Sequence, residues 1–172
     1  FLYPNTFNND RVYSFLRNTE SELYYSPSNF KTEVLGVGWA WDDYPYSYSA
    51  ERTGFPMYGN LISIGKDSIG FNIAPRYFME HFTEAIEQHT FEEILRDFDS
   101  NQLTYFPGKS SSTEWKVPFH FSSDLVIDLL SDTLKRQVQE VSIPLPKDAL
   151  SFKSIPLDSL YRVMMQDSDN FI

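Results

Sequence analysis

Residues 57–77 read MYGNLISIGKDSIGFNIAPRY, and their pattern decides the fold class. Ile62 and Ile64 alternate with Ser63 and Gly65, the two-residue period of a strand with one covered face. Lys66-Asp67-Ser68 turns the chain, and IGFNIAPRYF (residues 69–78) returns. The stretch predicts a β-hairpin.

Working outward, FEEILRDFDSNQLTYF (residues 91–106) reads as two strands joined around Asp99, Ser100 and Asn101, residue types that favour turns. Just before it, Phe82, Ile86 and His89 have helical spacing, so residues 79–98 admit a helix as well as strands; for 91–106 the strand reading is favoured. WKVPF (115–119) is a further short strand. Ser122 or Ser123 then caps a helix whose apolar face is Leu125, Val126, Leu129, Leu130 and Leu134. Val138 to Ile143 is a candidate strand. A last helix starts near Pro156, with Leu157, Leu160, Met164 and Met165 as its stripe. Residues 1–30 are rich in Asn, Ser and Tyr, with Arg11–Arg17 readable as a short helix or a strand. The class is α+β. Aromatic residues make up 17% of the chain, which suits half-buried pleated surfaces.

A formal charge of −10 disfavours nucleic acid and anionic membrane surfaces, both of which need clustered Lys and Arg. The absence of cysteine removes disulfides, thiolate nucleophiles and Cys-based metal sites. His81, His89 and His120 fit no standard zinc spacing. No metal or other cofactor is expected, and no apolar run is long enough for a transmembrane helix.

Two segments carry chemistry. Ser168-Asp169-Asn170 matches S-x-N, an element of serine acyl-transfer enzymes that also use S-x-x-K and K-T-G. Ser168 falls four residues after Met164, on the apolar face of the last helix. The second segment is GWAWDDYPYSYSAERTGFPMYGN, residues 38–60. Its Gly38, Trp39, Trp41, Asp42, Asp43, Tyr48, Ser49 and Ala50 resemble the G-W-x-W-D/N-D and Ser-Ala pattern of the low-molecular-mass, class C penicillin-binding proteins, the D-alanyl-D-alanine carboxypeptidase/endopeptidases. Val117-Pro118-Phe119, the helix DLVIDLLSDTL and the ending IPLDSLYRVMMQDSDNFI resemble that family in the same order. Together these pieces cover most of residues 29–172.

The resemblance implies a serine peptidase of peptidoglycan stem peptides that β-lactams acylate, in the periplasm or another extracytoplasmic compartment. It implies a β-rich insert domain with a few helices over 31–153 and the edge of a transpeptidase/β-lactamase-like domain over 154–172, with 1–30 unassigned. It gives Ser168 and Asn170 catalytic roles, in proton relay and amide binding. It gives Asp43 and Tyr48 substrate roles, pairing with the ammonium of diaminopimelate and packing on its methylenes. The family's S-x-x-K precedes G-W-x-W and its K-T-G follows S-x-N. Ser63-Ile64-Gly65-Lys66 meets the first spacing, but in a hairpin strand and after G-W-x-W, so Ser63 reads as structural. The chain is therefore expected to be an inactive piece of a larger enzyme, with its last helix still running at Ile172. The competing reading is a non-catalytic peptidoglycan- or carbohydrate-binding module. On a strand, Tyr44, Tyr46 and Tyr48 would share one face and form an aromatic row.

Overall fold

The computed structural model describes residues 11–39, 41–109, 112–152 and 156–167. In chain order these form helix α1 (Arg11–Asn18) and strands β1 (Leu23–Tyr25), β2 (Leu61–Lys66), β3 (Phe71–Ala74), β4 (Phe82–Glu84), β5 (Glu93–Arg96), β6 (Leu103–Phe106) and β7 (Glu114–Pro118). Helix α2 (Ser123–Leu134), strand β8 (Val138–Glu140) and helix α3 (Leu157–Asp167) follow. Short 3-10 turns occupy Trp41–Asp43, Ser47–Ser49, Tyr58–Asn60 and Arg76–His81. The class is α+β, as the sequence led us to expect. The chain divides into two compact units. One is residues 33–121; the other combines the residues up to 32 with those from 122 onward. α2 and β8 group with the N-terminal segment.

Unit 33–121 holds two three-stranded sheets. In the first, β2 lies between β3 and β7 and is antiparallel to both, with Ser63 opposite Ala74 and Lys116. Ile62, Ile64, Ile73 and Val117 are buried while Ser63 is exposed, so the two-residue period works as read. The turn closes through Asp67, whose Oδ1 accepts from the N–H groups of Ile69 at 2.7 Å and Gly70 at 3.0 Å. Gly70 sits at φ 148°, a conformation side chains rarely adopt. In the second sheet β6 is parallel to β4 and antiparallel to β5.

A cluster of aromatic rings fills the space between these sheets. Phe71 of β3 meets Phe82 of β4 at 4.8 Å and Tyr105 of β6 at 4.7 Å, and Trp115 of β7 meets Tyr105 at 6.1 Å. Such ring pairs add about 0.5–1.5 kcal/mol each beyond their buried area. The helical reading of Phe82, Ile86 and His89 is overturned. Phe82 starts β4 and packs between the sheets, while Ile86 stands fully in solvent. The spacing marks no common face.

In the other unit Ser122 caps α2, its Oγ accepting from the Leu125 N–H at 3.1 Å. All five residues of the anticipated apolar face of α2 are buried. The helix ends at Lys135, left-handed at φ 55°. β1 pairs in parallel with β8, Leu23 opposite Val138. Arg136 donates to the carbonyls of Leu16, Thr19 and Ser21 at 2.6–2.7 Å, satisfying acceptors at and beyond the end of α1 that the helix leaves open. No helix among the described residues is long and apolar enough to cross a membrane.

Candidate functional site

Pro45 divides the run Asp43-Tyr44-Pro45-Tyr46-Ser47-Tyr48-Ser49 and removes a backbone donor, which opposes a continuous strand. The run forms successive turns instead. The N–H of Tyr46 reaches the carbonyl of Asp43, and the N–H of Ser49 that of Tyr46, both at 3.0 Å. The expected three-tyrosine row is therefore not formed. Tyr44 turns inward: its hydroxyl donates to the carbonyl of Arg96, and its ring meets Phe98 edge-on at 5.0 Å. Tyr46 and Tyr48 stay exposed and stack on each other, centroids 5.6 Å apart and planes 7° from parallel.

The turns bring together the two predicted substrate residues. The Tyr48 hydroxyl donates to Asp43 Oδ1 at 2.9 Å. That hydrogen bond, ahead of smaller contributions from desolvation and the charge of Asp43, raises the Tyr48 phenol above the usual tyrosine value. The bond aligns the Asp43 carboxylate beside an aromatic ring at a solvent-facing edge. Such a pair has the parts to hold a primary ammonium on an alkyl chain, with a carboxylate for the charge and rings for the methylenes. Ser168 and Asn170 lie outside the described residues.

Ser63 and Lys66 occupy one strand three residues apart, and so project to opposite faces. Lys66 points between the sheets, where its ammonium meets the Glu92 carboxylate and lies 2.5 Å from the Tyr105 hydroxyl, which itself donates to Glu92. The Lys66 contact, then that of Tyr105, lowers the Glu92 carboxyl below the ordinary glutamate value. The contact with Glu92, then that with Tyr105, raises Lys66. Burial, then the bond to Glu92, raises Tyr105. Lys66 and Tyr105 are thus held protonated, without a free lone pair for nucleophilic attack, and the Glu92 carboxylate is engaged by both. This cluster ties the two sheets together. Sequence reasoning missed Glu92 and Tyr105. The available signal was Lys66 itself, a cation in register with Ile62 and Ile64 on the covered face, where it needs a partner.

Each histidine has a neighbour. His120 Nδ1 lies 2.8 Å from Glu51 Oε1, His89 Nδ1 2.5 Å from Glu93 Oε1, and His81 Nδ1 3.1 Å from Gln102 Nε2. Among the described residues no group of three or more His, Asp or Glu side chains is arranged to hold a metal ion.

No protein-family model matches the chain. No curated protein matches it either. Among solved structures it is similar to the crystal structure of penicillin binding protein 4 (dacB) from Haemophilus influenzae, at 15% identity and a TM-score of 0.58. The likeness covers 94% of this chain and 42% of that one. At this identity it shows the fold, which this chain shares over nearly its whole length with part of a penicillin-binding protein.

Proposed function

We propose that this chain is part of a serine D-alanyl-D-alanine carboxypeptidase/endopeptidase acting outside the cytoplasm on peptidoglycan stem peptides. In this reading unit 33–121 belongs to the insert, and its Asp43–Tyr48 pair contacts the diaminopimelate side chain. Ser168 and Asn170 supply the S-x-N element: the serine hydroxyl passes a proton to the leaving group and the asparagine amide holds the substrate. The nucleophile and its lysine come from outside these residues, so this chain by itself neither hydrolyses stem peptides nor takes up a β-lactam covalently. The observation that carries the reading is the 2.9 Å contact between the Tyr48 hydroxyl and the Asp43 carboxylate at an exposed loop. The fold shared with a penicillin-binding protein supports it.

The test is binding of a stem peptide containing diaminopimelate, followed by NMR on labelled chain. The expected result is that Asp43→Asn weakens binding about 10-fold or more, the scale of a lost charge-assisted hydrogen bond. A peptide with an apolar residue in place of diaminopimelate should bind the wild type equally weakly. Equal binding of both peptides removes Asp43 from recognition. In the intact protein, Ser168→Ala should lower the rate of penicillin acylation by about 10²-fold or more, with little change in melting temperature. Acylation at the wild-type rate reduces Ser168 to a polar helix residue.

The exposed Tyr46–Tyr48 stack favours the second reading, a non-catalytic module that binds carbohydrate or peptidoglycan. Glycan strands stripped of peptide separate the two: binding that is lost in Tyr46→Ala but kept in Asp43→Asn supports the module.

A further inference from the structure

We propose that Ser49 is a positioning residue, whose buried hydroxyl holds the loop in the conformation that brings Tyr48 onto Asp43. Ser49 is only 2% exposed, an unusual place for a serine. A hydroxyl in such a place is costly unless it is hydrogen-bonded. Its Oγ donates to the main-chain carbonyl of Asp43 and lies 3.1 Å from that of Tyr46. One hydroxyl carries one proton, so the Asp43 carbonyl takes most of it and Tyr46 the remainder.

The significance lies in which residues are joined. Tyr48 and Ser49 are adjacent, and both return to residue 43. Tyr48 reaches its side chain from the solvent side, and Ser49 reaches its main chain from the buried side. The Tyr48–Asp43 bond is exposed and competes with water, so alone it orders the loop weakly. The Ser49 bond is shielded from water and correspondingly stronger. Both carbonyls it touches also accept a backbone N–H, from Tyr46 and from Ser49 itself. Deleting the hydroxyl therefore leaves no carbonyl without a donor. It removes the tie between residues 49 and 43 rather than the turns themselves. The effect on ligand contact rests on the functional reading above; the effect on Tyr48 does not.

The experiment is a pH titration of the tyrosines in this chain, followed by NMR of 13C-labelled phenol carbons. In the wild type Tyr48 titrates above the ordinary range because of Asp43, with Asp42 and Tyr46 adding to the shift. Asp43→Asn sets the value without that carboxylate. Ser49→Ala, and Ser49→Cys as a volume-matched poor donor, are expected to move Tyr48 most of the way to the Asp43→Asn value. Tyr44, raised mainly by burial, should not move. The proposal is overturned if Tyr48 titrates as in the wild type in whichever of the two variants folds, or if Asp43→Asn itself leaves Tyr48 unmoved. It is equally overturned if neither variant folds while Ser49→Gly does and keeps the wild-type titration. Failure of the wild type to bind the stem peptide would sink the functional reading, and the titration would still decide Ser49.

Discussion

The guanidinium of Arg96 lies 4.5 Å from the centre of the Tyr44 ring, and the Tyr44 hydroxyl donates back to the carbonyl of Arg96. Arg96 is 6% exposed. Its Nε donates to the carbonyl of Pro118 at 2.8 Å, and one terminal nitrogen faces those of Asp97, Phe98 and Ser100 at 2.7, 3.2 and 2.7 Å. One cation thus joins the end of β7, the turn after β5 and the loop that carries Asp43 and Tyr48.

Arg96→Lys should lose about 1–3 kcal/mol of unfolding free energy, the cost of leaving the buried Pro118 carbonyl without its donor. An ammonium cannot reproduce the planar fork, so the conservative change does not rescue. Urea unfolding with an unchanged slope measures this. A wild-type midpoint for Arg96→Lys would show that the carbonyl cage adds nothing.

The Lys66–Glu92–Tyr105 cluster predicts a stability plateau with two edges. The Glu92 carboxyl is held low by Lys66, so its contribution is present above the unfolded glutamate value and fades as pH falls through the folded one. Lys66 and Tyr105 are raised, so theirs is complete below their unfolded values and fades as pH rises through the folded ones. The stability gap between wild type and Glu92→Gln should therefore be widest between about pH 5 and 9, narrowing on both sides. The Lys66 side chain is 36% exposed, so added salt should reduce the gap. A gap independent of pH would mean that the ion pair contributes nothing.

Gly108→Ala should destabilise by at least about 2 kcal/mol. A Cβ at Gly108 would stand 2.3 Å from the nitrogen of Glu92 and from the carbonyl carbon of Phe91. Both are main-chain atoms, which cannot rotate away. The Pro107 carbonyl accepts from the His89 N–H at 2.9 Å and holds the two segments together. Thermal unfolding near the wild-type midpoint would show that this approach relaxes freely.

Ser63→Ala should be silent, within about 0.5 kcal/mol in stability. Neither it nor the wild-type chain should take up a fluorescent penicillin covalently. The hydroxyl lies on the exposed face of β2 while Lys66 is engaged on the other. Labelling that Ser63→Ala abolishes would make Ser63 a nucleophile.

Legibility followed the range of the interactions. The hairpin and α2 were readable because Ile62 and Ile64, or Leu125 and Leu129, repeat at a local period that burial enforces. Tyr44, Tyr46 and Tyr48 also alternate, but Pro45 and the buried Ser49 hydroxyl impose turns, and alternation without a strand carries no face. The parallel pairings of β4 with β6 and β1 with β8 join distant segments, which no local pattern announces. Lys66 and Arg96 were readable in principle. Each continues the inward register of buried isoleucines, and a cation there demands acceptors.

The β1–β8 pairing also bears on how the chain is made. Ser28 binds the carbonyl of Ile143, and Arg136 that of Ser21, each across 115 residues. A ribosome therefore releases residues 11–29 early but must deliver nearly everything between before their partners exist. Unit 33–121 has its strand partners within its own span and emerges complete in the interval. Of the two paired strands the earlier one waits for the later, and in the meantime its Tyr24 and Tyr25 backbone is an unpaired edge open to other nascent chains.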